Sequence, residues 1–189
     1  MLKFAAPANA GERAFNAAVD KLIGDVVQPD GQDSQRDDYA YSWKLRLVYA
    51  SPRLISAHAD GYSSTGGAHP NSYSRDINID LAAGREATFE SLVDKGGAEK
   101  IFALCFDQVI ADRKNREGAD GDLDAEGLKT LRKDIATATG RLNTWRFGAD
   151  AADVTYDPYA VASYVEGEFA CKIPYATLRP LAKPGFPLP

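Results

Sequence analysis

Three consecutive segments of the chain have the residue pattern of strands that bury one face and leave the other in water. Residues 39–50 carry six aromatic or aliphatic side chains at every second position, from Tyr39 to Tyr49. Strands are also predicted over residues 53–63 and 73–81. Strands that follow one another with short connections favour antiparallel pairing. The three segments therefore predict a β-meander.

The stretch between the second and third strands, Tyr62 to Asn71, reads YSSTGGAHPN and is too polar and glycine-rich for a regular strand. Gly66 and Gly67 permit positive φ or close backbone approach. Pro70 biases His69 toward extended backbone. Loops on rigid strands often carry binding groups, and this turn would present Thr65, His69 and Asn71, with Tyr62 at its flank. A plain hairpin connection, in which these side chains bond their own backbone, is the alternative.

The length and composition of the chain are those of one globular domain. Its 189 residues are 44% hydrophobic, which suffices for one core. No apolar run approaches the length of a membrane span. The 22 basic and 27 acidic residues give a formal charge of −5, and the basic residues form no dense run. This balance argues against nucleic acid and anionic membrane surfaces, and it favours a neutral or cationic partner.

Helical spacing of apolar residues predicts three helices, over residues 9–27, 98–113 and 125–139. Polar, proline- or glycine-containing loops are expected at residues 28–38 and 114–124. The helices and the meander together predict an α+β fold, with an antiparallel sheet packed against about three helices.

The last third of the chain returns to short strands, predicted at residues 144–147, 153–156 and 167–173. A helical turn at 175–178 is expected next. Its many prolines make the C-terminal tail an extended strap or a frayed end. The single predicted domain thus has an N-terminal helix and loop (1–38), a core (39–178) and a proline-rich tail (179–189).

Two cysteines, Cys105 and Cys171, are the only ones in the chain, and neither belongs to a CxxC motif. Metal-binding and redox motifs are therefore not indicated. Two interpretations remain open: one disulfide in an oxidising compartment, or two buried thiols that act as small apolar side chains.

Catalytic and metal chemistry have little support in the sequence. His58 and His69 are the only histidines, eleven residues apart, and no HExxH motif accompanies them. His58 shares a strand face with Asp60 and Tyr62, but no G-x-S-x-G elbow or oxyanion motif is present. A histidine hydrogen-bonded within a polar sheet face is the favoured interpretation. No catalytic residue, metal or cofactor is predicted.

Tyrosines are frequent in the last third of the chain, at Tyr156, Tyr159, Tyr164 and Tyr175. Tyrosine-rich loops beside glycines suit recognition, because the ring offers a large contact area for little lost entropy. Tyrosines also line core edges with the hydroxyl in water. The sequence leaves both interpretations open.

Three motifs in this order resemble the C-terminal domain of RsiV-type anti-sigma factors, which also occurs alone in many envelope proteins. They are YSSTGGAHPN, DLAAGREATFESLV and YAVASYVEGEFACKIPYATL. The family pattern is Tyr-x-x-Thr-Gly-Gly-Ala-His-x-Asn, then Asp-Leu-x-x-Gly-Lys/Arg, then Tyr-x-Val-Ala-Pro-Tyr-x-x-Gly with a terminal Ile-Pro-Tyr. The matching positions are Tyr62, Thr65 to His69, Asn71, Asp80, Leu81, Gly84, Arg85, Tyr159, Val161, Ala162, Tyr164, Gly167 and Ile173 to Tyr175.

The resemblance covers most of the chain, from about Tyr41 to Leu178. It implies an extracytoplasmic α+β domain that is not an enzyme and, in RsiV-type members, binds lysozyme. It also makes a Cys105–Cys171 disulfide more expected, since the envelope is oxidising. The sequence departs from the pattern at Ser163, where the family usually has proline.

The resemblance implies a periplasmic or otherwise extracytoplasmic location. Because residues 1–15 lack the apolar core of a secretory signal, the leader is expected to be absent from this chain. With no transmembrane or sigma-binding segment, the chain is not expected to be a complete anti-sigma factor.

The leading hypothesis is a binding module for a lysozyme-like cationic protein or a cell-wall (peptidoglycan) fragment. Its partner-binding residues would be Tyr62, Thr65, Gly66, Gly67, His69, Asn71, Tyr159, Ser163 and Tyr164. One alternative is a cell-wall hydrolase with His69 or His58 as its base. Another is a structural envelope domain, in which the glycine-rich turn is purely architectural.

Overall fold

Helices and antiparallel sheets alternate along the chain, which confirms the predicted α+β class. The computed structural model describes residues 2–27, 39–116 and 123–189. The loop predicted at 28–38 and most of the loop predicted at 114–124 lie outside these residues. Contacts divide the chain into two compact units, Met1–Glu86 and Ala87–Pro189. Each unit has its own sheet and at least one helix, and the boundary between the units falls inside the predicted 39–178 core.

The first unit contains helix α1 (Ala10–Val27) and a four-stranded antiparallel sheet in the order β1-β2-β3-β4. The strands are β1 (Tyr39–Ala50), β2 (Leu54–Thr65), β3 (Asn71–Asp80) and β4 (Arg85–Glu86). The first three strands form the predicted meander, and β2 and β3 reach closer to the intervening turn than the sequence indicated.

Helix α1 begins at a polar cap and buries one stripe against the sheet. Asn9 Oδ1 accepts a hydrogen bond from the Glu12 backbone N–H at 2.9 Å, which satisfies a free donor of the first turn. The core of this unit joins apolar side chains of α1, β2 and β3: Phe15, Ala18, Val19, Leu22, Ile55, Ala57, Ala59, Ile77 and Ile79.

The apolar stripe of β1 differs from its prediction in two ways. The register shifts between Leu47 and Tyr49, so Leu47 pairs with Ala57 and Tyr49 pairs with Ser56. Because side chains alternate across a strand, this bulge turns Tyr49 to the opposite sheet face from Leu47. The stripe is also only half buried, and 48% of Leu47 is exposed.

The turn after β3 accounts for the motif that reads DLAAGR. Asp80 Oδ1 accepts a hydrogen bond from the Ala83 N–H at 2.9 Å. Gly84 has a φ of 68°, which favours glycine. A Cβ on Gly84 would lie 2.7 Å from the Cβ of Ala10 at the start of α1. The motif therefore builds a tight turn against a helix.

The second unit contains a three-stranded antiparallel sheet and four helices. The strands are β5 (Trp145–Phe147), β6 (Ala151–Tyr156) and β7 (Phe169–Pro174), in that order in the sheet. The helices are α2 (Phe89–Leu92), α3 (Lys95–Lys114), α4 (Ala125–Thr139) and α5 (Tyr175–Leu178). Helix α3 begins three residues earlier than predicted, because Asp94 caps it by accepting from the Gly97 N–H at 2.8 Å.

A disulfide joins α3 to β7. Cys105 and Cys171 are both fully buried, and their Cα atoms are 5.1 Å apart. The tail crosses this unit as a strap, since the Lys183 N–H donates to the Leu92 carbonyl at 2.7 Å and the Phe186 ring lies 5.9 Å from that of Phe147. The strap was one of the two states predicted for the tail.

Candidate functional site

The first candidate loop, residues 65–71, joins β2 to β3 in the first unit. Gly66 has a φ of 72°, in the region that glycine adopts without strain. A Cβ on Gly67 would meet no atom within 4 Å, so only Gly66 needs to be glycine for its backbone. The His69 ring lies with Nδ1 3.0 Å from the Pro70 carbonyl oxygen. This contact fits the architectural interpretation of His69, because an Nδ1–H would donate to backbone.

Below this loop, two aromatic rings meet over a glycine of β2. Gly61 pairs with Trp43 on one side and with Tyr73 on the other. The two ring centroids are 5.6 Å apart, and a Cβ on Gly61 would lie 2.6 Å from the Tyr73 ring. Because Gly61 has no side chain, the two rings have room to pack against each other over β2 near the loop.

The second candidate loop, residues 157–168, joins β6 to β7 in the second unit. Tyr159 is 63% exposed and Val165 is 71% exposed. The rings of Tyr159 and Tyr164 lie 5.6 Å apart at an interplanar angle of 32°. Tyr159 has a φ of 70°, which is uncommon and strained for a bulky residue. Strain of this kind persists where surrounding structure enforces it, often at binding sites.

A buried ion pair holds the second loop in place. Arg113, near the C-terminus of α3, donates from Nε to Glu166 Oε2 at 2.6 Å and from Nη2 to Glu166 Oε1 at 3.3 Å. The side chains of Arg113 and Glu166 are only 11% and 2% exposed. A bidentate guanidinium–carboxylate contact fixes both groups in angle as well as distance.

Ser163 connects this anchor to the tyrosines. Its hydroxyl lies 3.2 Å from Glu166 Oε1, and its N–H lies 3.4 Å from the same oxygen. The two residues form a capping box around the short 3-10 turn Tyr164–Glu166. Serine at this position therefore has a definite role: it couples the turn to the anchoring carboxylate.

A second arginine of the same region fastens the far end of the loop. Arg116 donates to the backbone carbonyls of Glu166 and Glu168 and to the carboxylate of Asp112. Its guanidinium lies 3.7 Å from the centroid of the Phe169 ring. Arginine suits this site because its planar group can bond several oxygens and stack on an aromatic face at once.

The ion pair sets the charge state of the anchor. Burial alone would raise the pKa of the Glu166 carboxyl, but the hydrogen bonds and charge of Arg113 outweigh it and lower that pKa below the ordinary 4.5. Glu166 is therefore ionised at neutral pH, and the contact is a salt bridge.

The other two tyrosines of the last third serve the core. Tyr156 is fully buried, and its hydroxyl lies 2.7 Å from Thr139 Oγ1. Burial raises the pKa of Tyr156 to about 12. The Tyr175 hydroxyl donates to the Gly148 carbonyl at 2.7 Å. Tyr156 and Tyr175 thus fit the core interpretation, and Tyr159 and Tyr164 remain the candidates for recognition.

His58 lies between two carboxylates on the polar face of the first sheet. Its Nδ1 is 2.8 Å from Asp76 Oδ1, and its Nε2 is 2.9 Å from Asp60 Oδ1. The hydrogen bond to Asp76 raises the pKa of His58, against the opposing effect of burial. Burial alone would raise the pKa of Asp60, but the hydrogen bond from His58 lowers it. Both ring nitrogens of His58 thus face carboxylates, as expected for a structural histidine.

The predicted partner-binding residues fall into two groups. Tyr62 and the first-loop residues Thr65, Gly66, Gly67, His69 and Asn71 lie at one end of the β2–β3 hairpin. Tyr159, Ser163 and Tyr164 lie together on the second loop. Sequence reasoning missed Arg113, Arg116 and Glu166. The spacing Ser163-x-x-Glu166 was a usable signal, since it matches a capping box.

Within the described ranges 2–27, 39–116 and 123–189, His, Cys, Asp and Glu side chains form no group of three that could hold a metal ion. Over the same ranges, no helix combines the length and apolarity of a membrane span.

No protein-family model matches the chain, and no curated protein matches it. Several solved structures resemble it in fold, among them two from the DUF3298 family. One is a member of the DUF3298 family from Bacteroides fragilis NCTC 9343, with a TM-score of 0.56 and 18% identity over 89% of this chain. The other is a DUF3298 family protein from Pseudomonas aeruginosa PAO1, with a TM-score of 0.56 and 20% identity over 92% of this chain.

This chain spans 64% of the Bacteroides protein and 71% of the Pseudomonas protein. At these identities the likeness is one of fold, and fold alone does not carry function. The RsiV-type resemblance remains a prediction from the motifs. The structural neighbours of this chain are DUF3298 family proteins.

Proposed function

We propose that this chain is a non-enzymatic extracytoplasmic binding module, and that the second loop is its recognition surface. The observation that carries the proposal is the ring pair of the exposed Tyr159 and the half-buried Tyr164, on a loop anchored by the Arg113–Glu166 ion pair. Exposed aromatic side chains are costly to keep in water, and they are enriched where binding energy concentrates.

The Arg113–Glu166 ion pair matters for affinity because it orders the second loop before any partner binds. A free loop loses backbone and side-chain entropy when it binds, at roughly 0.5–1.5 kcal/mol per immobilised side chain. Glu166 and Ser163 already hold the turn that carries Tyr164. The strained φ of Tyr159 is likewise present before any partner arrives. The loop is therefore preorganised for contact.

A cationic protein of the lysozyme type is the proposed partner, and a peptidoglycan fragment is the alternative. The formal charge of −5 would steer a basic protein toward this chain and raise its association rate. Charge alone is not specific, so the tyrosine pair and the exposed Val165 would supply the contact area that distinguishes one partner from another.

An extracytoplasmic location is part of the proposal. The disulfide between Cys105 and Cys171 supports it, because structural disulfides persist in oxidising compartments and are rare in the cytosol. The RsiV-type motifs support the same location independently.

Calorimetric titration against a panel of lysozymes, at about 50 mM and about 300 mM NaCl, tests the partner assignment. The proposal expects binding that weakens with salt but persists, because aromatic contacts are insensitive to screening. Heat that vanishes at the higher salt would refute it, since only a charge attraction would then exist. Soluble peptidoglycan fragments, titrated in parallel, decide between the two partner classes.

Variants of the second loop test the site. Tyr159→Ala with Tyr164→Ala should weaken binding at least tenfold, as expected when a central aromatic pair is lost. Tyr159→Asn is the matched control for folding, because asparagine tolerates a φ of 70° and removes only the ring. It should weaken binding without lowering the unfolding temperature. Full binding by the double variant would refute the assignment of this loop.

A further inference from the structure

Strand β1 is a twelve-residue edge strand of the first sheet. It pairs with β2 and with no other strand in residues 2–27, 39–116 and 123–189. The outer edge of such a strand presents backbone N–H and C=O groups that can receive another strand. The bulge between Leu47 and Tyr49 limits regular pairing to the part of β1 before it.

The face of β1 toward α1 carries an apolar stripe that the unit covers incompletely. Trp43 and Leu45 are packed partly against the core, whereas Tyr41 and Leu47 are 40% and 48% exposed. Helix α1 lies mainly over β3 and β4, away from this edge. An added strand with apolar side chains at alternate positions would extend the stripe and bury it.

The opposite face of β1 carries a surplus of positive charge. Lys44 lies directly across from Asp60, and the Arg46 guanidinium lies 3.6 Å from the same carboxylate. One exposed carboxylate on the neighbouring strand thus lies opposite one of these cations and in ion-pair contact with the other. A strand added on the outer side would meet Lys44 and Arg46 before any acidic group of β2.

This charge disfavours a second copy of β1 as the added strand. The antiparallel register that matches the stripe with itself places Tyr41 opposite Leu47 and Trp43 opposite Leu45. The same register places Lys44 directly opposite Lys44 of the other copy. Like charges directly opposite in a sheet are destabilising. Acidic side chains at those positions would instead form favourable cross-strand pairs.

We propose that the outer edge of β1, from Tyr41 to Leu47, binds an extended segment of a partner protein that alternates apolar with acidic residues. Its backbone would continue the sheet, its apolar side chains would cover Leu45 and Leu47, and its carboxylates would face Lys44 and Arg46. This surface is separate from the second loop, and its partner has the opposite charge requirement.

In the second sheet, by contrast, a helix side chain covers the backbone of one edge residue, so strand edges in this chain need not stay exposed. On β7, the side chain of Gln108 donates to the Lys172 carbonyl at 3.0 Å and accepts from the Lys172 N–H at 2.9 Å. Helix α3 thereby occupies both backbone groups of that edge residue.

Synthetic peptides of about eight residues, valine alternating with glutamate or with lysine, test the proposal when Trp43 fluorescence reports binding. The acidic peptide should bind roughly tenfold or more tightly than the basic one, since two cross-strand charge pairs reverse sign between them. N-methylation of the amides on one edge of the acidic peptide should abolish its binding. Equal binding of both peptides, or of the methylated one, would overturn the proposal.

Charge reversal supplies the matched control. Lys44→Glu with Arg46→Glu should invert the preference toward the basic peptide. Lys129→Glu with Lys133→Glu, on exposed positions of α4, changes the net charge equally and should leave the preference unchanged. Inversion by the α4 pair would overturn the proposal, because net charge would then explain the result. A stable dimer that the acidic peptide cannot dissociate would also overturn it, in favour of a second copy.

Discussion

Reduction of the Cys105–Cys171 disulfide should cost the second unit about 4 kcal/mol of unfolding free energy. The bridge joins residues 66 positions apart, from α3 to β7. A crosslink restricts the unfolded chain, and the loop-closure entropy for about 66 residues corresponds to about 4 kcal/mol at room temperature. The folded state gains nothing from reduction, because α3 still packs on β7 and Gln108 still bonds the strand edge.

Urea unfolding with and without reductant measures this cost while both sulfur atoms remain in place. A Trp43→Phe background leaves Trp145, which is fully buried in the second unit, as the only tryptophan. Its fluorescence then reports this unit alone. The dependence on urea should also steepen after reduction, because the uncrosslinked unfolded chain exposes more surface.

The double variant Cys105→Ala with Cys171→Ala separates the crosslink from packing. It should lose the same 4 kcal/mol and about 1 kcal/mol more for each buried sulfur removed. A loss below about 1 kcal/mol on reduction would refute the crosslink argument. Packing of α3 on β7 would then account for the stability, and the disulfide would be incidental.

Three further predictions concern single side chains. Gly61→Ala should destabilise the first unit by about 2 kcal/mol through overpacking against two rings, whereas Gly67→Ala, with open space, should be near neutral in urea unfolding. The hydrogen bond to Asp76 raises the pKa of His58, so its stabilisation is complete below the ordinary 6.5 and lost as pH rises through the folded value. His58→Gln should flatten the urea midpoints measured between about pH 5 and pH 9. Glu166→Gln removes the carboxylate that pairs with the buried Arg113 guanidinium and should cost about 3 kcal/mol. Glu166→Gln should also make the stability less sensitive to acid. The lowered pKa of the Glu166 carboxyl stabilises the folded state above the ordinary 4.5, and this stabilisation is lost as the pH falls. An unchanged midpoint in Gly61→Ala or Glu166→Gln, or an unchanged pH dependence of the midpoint in His58→Gln, contradicts the corresponding contact.

The local spacing of apolar residues predicted most of the helices and strands, because this spacing reflects directly which side chains are buried. The helices at α1 and α4 and the meander β1–β3 lie within about two residues of their predicted limits. Their apolar spacing is set by one sheet face or one helix stripe. The α3 start was missed because Gly96 and Gly97 weaken the helical pattern, while the cap at Asp94 overrides them.

The sequence did not indicate strand register or which residues far apart in the chain lie in contact. Nothing in the local pattern of β1 indicated the bulge, so Tyr49 was assigned to the wrong face. Likewise, Arg113 and Glu166 are 53 residues apart, and each resembles an ordinary surface charge in the sequence. Their pairing depends on where α3 ends relative to the second loop. Such contacts arise from tertiary packing, which periodicity does not encode.

The residues that carry the RsiV-type resemblance mostly perform backbone tasks. Gly66, Gly84 and Gly167 each take a φ near 70°, a requirement of the turns they occupy. Tyr175 bonds a backbone carbonyl. A motif composed of such residues indicates a fold, and proteins that bind different partners can all retain it. The exposed Val165 lies at an unconstrained position of the third motif, beside the tyrosine pair. Partner specificity is therefore expected to vary at this position, and Val165→Lys should discriminate among the lysozymes of a panel without altering stability, because no core contact is lost.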